Sequence, residues 1–501
     1  MKTRTSLDLS IGVPAPNVKL VQWLYDEVRS AILDDRLKRG GRLPSTRELA
    51  RHYNVSRGTV VAAFEQLRSE GYVCGKTGAG TFVSSLLPDD VLYVKLPAAA
   101  KVAKKNSNPA LSQFARHLTP APAGTLGTPK AFRVATPGLD VFPISLWAQI
   151  ASRRLRKATR SLLGDFDAKG YAPLRQAVSD YLGAARGVKC AADQVIIIAG
   201  IQQGLDLTAR LVLNPGDAVW VEDPCYPGVT AIFEALGAEV VSVAVDNSGL
   251  NVQAGMRKSR AAKLAYVTPA HQFPLGVTLT ADRRLMLLQW AKQQRALIFE
   301  DDYDSEYRYS GRPISALQGL DQSSSVIFAG SFSKLLFPSL RLGYLVVPEA
   351  LVDKFVAAKF ATDRHSALID QAILSDFITE GHFARHIRRM RELYAERLAV
   401  LRESIEQRLA GILDVPRVEA GVHIPVWLNN GLAAENLAYI STAHDLELWP
   451  ISRFVLKNPR PEGLLLGFAA VDNREIRRGV DCLATVVESC RRKRNYRTTG
   501  R

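Results

Sequence analysis

The chain has 501 residues, enough for two or three domains that each bury a core of their own. Its 47% apolar and 23% charged residues are the balance of a soluble globular protein, and no run is long and apolar enough to span a bilayer. The net charge of +16 leaves room for solvated surface charge alone, but it favours a polyanionic partner, because lysine and arginine beside phosphates release condensed counterions.

Five cysteines stand singly with no CxxC pair, and the histidines form no HExxH cluster. That pattern excludes a disulfide framework, leaves no zinc or other metal site, and suits a reducing cytoplasm. The first residues lack the hydrophobic core of a secretory signal, so a cytoplasmic location is expected.

From residue 14 onward, Val21, Leu24, Tyr25, Val28, Ala31 and Ile32 keep helical spacing, with Asn17 as the expected cap. Ser45 then precedes a short helix through Leu49 and Tyr53, with Glu48 where a capping box requires it. Asn54-Val55-Ser56 makes a turn into a second helix from Arg57 to about Ser69. Its buried stripe is Val60, Phe64 and Leu67, which leaves Arg57, Thr59 and Ala62 facing outward. Two short helices with basic and hydroxyl groups at the start of the second match a helix-turn-helix that enters the major groove. Tyr72-Val73-Cys74 and Thr81-Phe82-Val83 read as strands around the glycine-rich tip 75–80, a winged hairpin in which Lys76 can meet phosphate.

Between residues 85 and 130 the periodicity collapses into alanine, proline, glycine and scattered lysine, the composition of a flexible linker. From 131 to 490 apolar strands alternate with helical stretches: 195–198, 218–221, 239–243, 264–267, 297–300, 326–329 and 343–347. Alternation of this kind calls for an α/β domain with a large, mostly parallel sheet covered on both faces. A small α+β domain follows from about residue 349, with a helix over 381–401 and strands over 422–428 and 463–468. Residues 491–501 form a basic tail that reads as a solvated, disordered end.

Three strand ends carry chemistry. Ser331-Phe332-Ser333-Lys334 follows the strand 326–329, where open α/β sheets bind ligands. Alone, Lys334 reads as a surface lysine; buried at such an edge it becomes a more nucleophilic amine, able to condense with an aldehyde. Ser331 and Ser333 offer hydroxyls and Arg341 a planar fork for phosphate. Asp301, after the strand 297–300, can pair with a protonated pyridine nitrogen, and Tyr303 can reach the ring's 3-oxygen. Gly200, Ile201 and Gln202 form a strand-to-helix turn whose free N–H groups suit a phosphate. Together these groups describe a site for pyridoxal 5′-phosphate held as a Schiff base on Lys334.

Gly170-Tyr171-Ala172-Pro173-Leu174-Arg175, Glu222-Asp223-Pro224-Cys225-Tyr226-Pro227-Gly228, His271-Gln272-Phe273-Pro274-Leu275-Gly276, the run 300–307 and Ser331-Phe332-Ser333-Lys334 resemble the MocR/GabR-type regulators. Pro44-Ser45-Thr46-Arg47-Glu48-Leu49-Ala50, Ser56-Arg57-Gly58-Thr59-Val60 and Gly78-Ala79-Gly80-Thr81-Phe82-Val83 resemble GntR-type winged-helix signatures. The resemblance implies a multidomain chain: a winged helix-turn-helix over 14–84 fused to a fold-type I aminotransferase-like domain. It implies operator-DNA contacts from Ser45, Arg47, Ser56, Arg57, Thr59, Lys76, Gly78 and Gly80. It also implies a ring stacked on Tyr226, for which a packed core tyrosine is the alternative reading, a Tyr171 lent toward the phosphate, and a homodimer.

Two departures from an aminotransferase stand out. Phe273 replaces the usual asparagine beside the cofactor's 3-oxygen, and 463–468 lacks the arginine that clamps a substrate carboxylate. Arg453 and Arg133 are the candidate substitutes. The expected function is therefore a cofactor-dependent transcriptional regulator that senses an amine, an amino acid or the cofactor itself. A working aminotransferase carrying a DNA-targeting domain is the alternative, and a DNA-binding protein with a purely dimerising second domain is the third reading.

Overall fold

The computed structural model describes residues 19–76, 80–89, 110–118, 127–164, 167–310, 314–429 and 431–498. It divides into two compact units, Met1–Pro109 and Ala110–Arg501.

The first unit packs α1 (Leu20–Leu33), α2 (Thr46–His52) and α3 (Arg57–Ser69) around Leu24, Val28, Ile32, Leu49, Val60, Phe64 and Leu67. The helical spacing seen in the sequence is thus the buried stripe. The cap of α1 is Lys19, which makes no side-chain bond; Asn17 lies outside the described residues. At α2 the capping box forms: Ser45 Oγ accepts from the Glu48 N–H at 3.3 Å, and Glu48 Oε2 accepts from the Ser45 N–H at 2.8 Å. The hairpin of β1 (Val73–Lys76) and β2 (Gly80–Val83) runs further toward the tip than expected, so Lys76 and Gly80 face each other within the ladder. Residues 77–79, and with them Gly78, lie outside the described residues.

The second unit starts earlier than 131. Within the stretch read as linker, Gln113–His117 is a helix capped by Ser112, and Phe114 lies 5.6 Å beneath the Arg210 guanidinium. The large sheet contains β3 (Val195–Ile198), β4 (Ala218–Asp223), β5 (Glu239–Asp246), β6 (Gly249–Leu250), β7 (Leu264–Val267), β8 (Leu297–Asp302), β9 (Val326–Ser331) and β10 (Gly343–Val346) in the order β3-β10-β9-β8-β7-β4-β5-β6. β5, β4, β7, β8 and β9 run parallel, whereas β10 is antiparallel to both of its neighbours. Ile196, Ile198, Ile327, Ala329 and Leu345 join one cluster with the helices 201–212 and 352–362, while Val195, Ile197, Phe328 and Tyr344 join another. Both faces are covered, which is why these strands read as unbroken apolar runs.

The small antiparallel sheet has the order β11-β12-β14-β13, from β11 (Leu413–Asp414), β12 (His423–Leu428), β13 (Trp449–Pro450) and β14 (Gly463–Gly467). The helix His382–Leu409 and the last helix, Asn473–Thr498, pack beside it. The end read as a loose basic tail is thus helical through Thr498. Ile476, Val480, Leu483 and Val487 anchor the helix, and arginine and lysine propagate it at little cost. Among the described residues no helix is long and apolar enough to cross a membrane, and no group of three potential metal ligands occurs.

Candidate functional site

The first residue of β10 brings three distant segments together. Gly343 pairs with Ile198 at the end of β3 and with Ser331 at the end of β9. Gly200, just past β3, therefore meets Arg341, just before β10, and Lys334, just past β9, at one edge of the sheet. Gly200 has φ 110°, a region glycine alone occupies readily, and a Cβ there would stand 3.2–3.4 Å from the Arg341 guanidinium. The helix Ile201–Val212 begins immediately after it, so the N–H groups of Ile201 and Gln202 have no carbonyl one turn back. N–H groups and a guanidinium around a residue without a side chain make a cradle for a dianion.

Lys334 lies in the one-turn helix Phe332–Leu335, and its Nζ donates to the Ala135 carbonyl at 2.9 Å. Burial pushes its pKa below the usual lysine value, while Asp301 and then Asp304 pull the other way. A partly uncharged amine at this edge can act as a nucleophile. Ser331 and Ser333 are buried beside it, and Ser333 Oγ has no partner among the described residues.

Asp301 ends β8. Its Oδ2 accepts from the Tyr266 hydroxyl at 2.7 Å, whereas its Oδ1 is buried without a partner among the described residues. Burial pushes its carboxyl up to about 7, with Asp302 and Asp304 adding to the rise and the Tyr266 bond opposing it. An unpaired buried carboxylate oxygen is costly, and a protonated ring nitrogen is a group that satisfies it. Tyr226 keeps 42% of its surface exposed and lies over Gly228, where a Cβ would come within 2.5–2.6 Å of its ring. It meets Phe273 edge-on at 6.3 Å. An open aromatic face offers a stacking surface, so Tyr226 is no packed core tyrosine. Gln202 Nε2 donates to the Gly228 carbonyl at 2.8 Å. Amine, buried acid, aromatic face and anion cradle all fit pyridoxal 5′-phosphate.

The remaining sequence-derived residues have the following surroundings. Tyr171 caps the helix 172–186 at its N-terminus, its N–H donates to Gln371 at 2.8 Å, and its phenol lies near Arg154. The two candidate clamps differ: the buried Arg133 Nε donates to both Glu447 oxygens at 2.9 and 3.0 Å, whereas Arg453 makes an exposed pair with Glu435 at 3.1 Å. Tyr303, read as a partner of the 3-oxygen, already has a neighbour, the His271 Nδ1 at 3.0 Å. Sequence reasoning gave no role to His271, Asp304 or His423. The first two stood inside motifs already quoted, which was the signal available.

In the first unit Arg47 and Arg57 are exposed and form no ion pair with a described residue. Ser56 Oγ accepts from the Thr59 N–H at 3.0 Å and lies 2.8 Å from Thr59 Oγ1, so this serine is the cap of α3, as Ser45 is of α2. Lys76 sits 5.1 Å over the Phe82 ring. Arg42 and Arg68 were missed. Cβ atoms at Gly80 and Gly75 would stand 3.1 Å from the Arg42 Nε and 3.0 Å from an Arg68 amine, so two further guanidiniums flank the wing.

Comparison with known proteins gives the same division. Residues 20–83 match the bacterial regulatory proteins of the gntR family, and residues 139–482 match aminotransferase class I and II. The chain is 38% identical to the probable rhizopine catabolism regulatory protein MocR of Rhizobium meliloti, over 93% of each. It is 30% identical to the pyridoxine biosynthesis transcriptional regulator PdxR of Corynebacterium glutamicum, over 79% of this chain and 82% of that protein. Among solved structures, the alpha-aminoadipate aminotransferase LysN of Thermus thermophilus, complexed with N-(5′-phosphopyridoxyl)-L-leucine, aligns with a TM-score of 0.66 at 28% identity, over 72% of this chain and 92% of that one. A gntR-type winged helix and an aminotransferase-type domain in one polypeptide, matched nearly end to end by MocR, place this chain in the MocR-type family of pyridoxal 5′-phosphate-binding, DNA-binding transcriptional regulators.

Proposed function

We propose that this chain senses a small amine, or the cofactor itself, at Lys334 and converts occupancy into altered affinity for operator DNA. The observation that carries the reading is the buried, unpartnered Asp301 Oδ1 opposite a lysine whose amine is held below its usual basicity. When bound, pyridoxal 5′-phosphate supplies an aldehyde that condenses with amines and a ring that absorbs visible light. Lys334 would provide the amine that anchors it, and Asp301 would accept a hydrogen bond from its protonated ring nitrogen. Gly200, Ile201, Gln202 and Arg341 hold its phosphate, and Ser331 and Ser333 lend hydroxyls there. Tyr226 covers one face, Tyr303 donates to its 3-oxygen, and Tyr171 reaches the phosphate from a second copy in a homodimer.

Arg133 and Arg453 are both paired with carboxylates. Of the two candidates, the buried Arg133 is thus withheld from a substrate carboxylate and Arg453 is held only by an exposed pair, which supports recognition over turnover. In the first unit, Arg47, Arg57, Thr59 and Lys76 contact the operator, while Ser45 and Ser56 set the helix ends that present them. Linkage requires the operator to shift effector affinity by the factor by which effector shifts operator affinity.

Visible absorbance of the purified, cofactor-loaded protein during titration with a panel of amines, with and without a 2-oxo acid, tests the reading. A saturable band shift in one equivalent, with altered operator binding, is expected. Many turnovers per site would establish an aminotransferase instead. Indifference of the protein to added pyridoxal 5′-phosphate would end the proposal.

A further inference from the structure

Behind Tyr303 lies a buried group that the reading above leaves unused. His271 Nδ1 stands 3.0 and 3.1 Å from the two carboxylate oxygens of Asp304 and 3.0 Å from the Tyr303 hydroxyl. Both His271 and Asp304 are buried, and the backbone N–H of Val422 also donates to Asp304. Gly421 leaves the room for this contact, since a Cβ there would come 2.0 Å from the His271 ring. On the other side is His423, wholly buried, with neither ring nitrogen partnered among the described residues. Its ring centroid is 5.3 Å from that of His271, and its plane is parallel to Tyr303 at 6.4 Å.

One nitrogen facing two oxygen groups poses a hydrogen-counting question. Nδ1 carries at most one hydrogen. Burial raises the Asp304 carboxyl, while His271 and the Val422 N–H oppose the rise; in its ionised form it is acceptor-only, so the proton sits on Nδ1 and is shared between the carboxylate and the Tyr303 oxygen. His271 Nε2, buried and without a partner among the described residues, agrees: a bare lone pair is tolerated in a core more readily than an orphaned N–H. With Tyr303 oxygen accepting from Nδ1–H, its own hydrogen has to point elsewhere.

We propose that Asp304, acting through the tautomer of His271, is a positioning device that aims the Tyr303 phenolic hydrogen outward as a donor to the ligand's 3-oxygen. His423 is its packed, neutral backing. Burial and the nearby His271 and Lys334 hold that second imidazole well below its ordinary pKa, so it brings no positive charge to compete for Asp304. The groups facing His271 are then Asp304, Tyr303 and His423, and the carboxylate alone fixes the tautomer. This inference rests on the cofactor reading, so one of its tests needs no cofactor.

Nitrogen-15 spectra of histidine-labelled, cofactor-free protein, with the signal assigned by its loss in His271→Phe, report which ring nitrogen bears the proton. An Nδ1–H, Nε2-bare pattern that shifts toward Nε2–H in Asp304→Leu is expected; an Nε2–H pattern in the unaltered protein overturns the proposal. In the loaded protein, a donor on the 3-oxygen stabilises its ionised form, so losing it raises the pH of the bound chromophore's colour change. Asp304→Leu, which frees Nδ1 to take the Tyr303 hydrogen, should raise that pH by about one unit, a tenfold change in proton affinity. His271→Asn places an amide nitrogen with two hydrogens near the old Nδ1 position and should restore the original pH, whereas His271→Phe should not. An unchanged pH in Asp304→Leu, with the protein folded and loaded, also overturns the proposal. Failure of the unaltered protein to load refutes the cofactor reading, and the nitrogen spectra still decide the tautomer.

Discussion

Asp301 allows a test in which one substitution moves stability in opposite directions with and without ligand. Its carboxyl is buried and raised from an ordinary 3.8 to about 7, burial being the main cause. A group that holds its proton more tightly when folded makes the fold lose stability as pH climbs from about 4 to 7, with no further loss above. At about 1.4 kcal/mol per pKa unit, that difference amounts to ~4 kcal/mol as a ceiling. Asp301→Asn removes the titration while leaving an amide oxygen for the Tyr266 hydroxyl. Urea midpoints of cofactor-free protein should therefore show the variant gaining on the unaltered chain between pH 5 and 8. The gain should be a few kcal/mol at pH 8 and little at pH 4. With pyridoxal 5′-phosphate the order should reverse, because the ring-nitrogen proton loses its charged acceptor. A cofactor-free variant less stable than the unaltered chain at pH 8 would refute the account of Asp301 as an unsatisfied buried charge.

Lys334→Ala should abolish the borohydride-trappable adduct and leave operator binding measurable; an adduct that persists, read by mass spectrometry, would move the anchor to another amine. Gly200→Ala forces a side chain into φ 110° and against the Arg341 guanidinium, at a cost of ~1–3 kcal/mol, so cofactor affinity by fluorescence titration should fall about tenfold or more. Ser45→Ala breaks the capping box and should lower the stability of the winged-helix unit by ~1 kcal/mol in thermal melts. Arg57→Ala removes an exposed guanidinium that forms no ion pair with a described residue; operator binding should weaken by ~1–3 kcal/mol in a gel-shift or anisotropy assay without a change in melting temperature.

The sequence carried much of this architecture because its signals were local. Val195–Ile198 and Leu264–Val267 were legible to the residue, being runs of branched side chains buried on both faces. The capping box at Ser45 and the apolar stripe of α3 were equally plain. Leu413–Asp414 and Trp449–Pro450 were not, since two residues cannot show a period. Strand order was also hidden, because β10 reverses direction between β3 and β9 through pairings that no local pattern encodes. At the site, Lys334 and Asp301 declared themselves by following buried strands. Arg133 could not be judged, because its partner Glu447 lies 314 positions away. The tautomer-fixing pair His271–Asp304 was visible as letters, but its meaning depends on a glycine, Gly421, whose missing side chain makes the space.

Gly343, wedged between Ile198 and Ser331, has one more effect. A molecule gripped at once by residues following β3, preceding β10 and following β9 rivets three neighbouring strand ends, each from a different part of the polypeptide. Such a rivet adds RT ln(1 + [L]/Kd) to the free energy of opening that edge, about 2.7 kcal/mol at a hundredfold excess over Kd. Proteases that attack the opened form meet it roughly a hundred times less often when the vitamin is plentiful. If the residues at these three strand ends hold the cofactor, limited proteolysis of the purified protein should slow as pyridoxal 5′-phosphate is added, and an unchanged cleavage rate would refute the rivet.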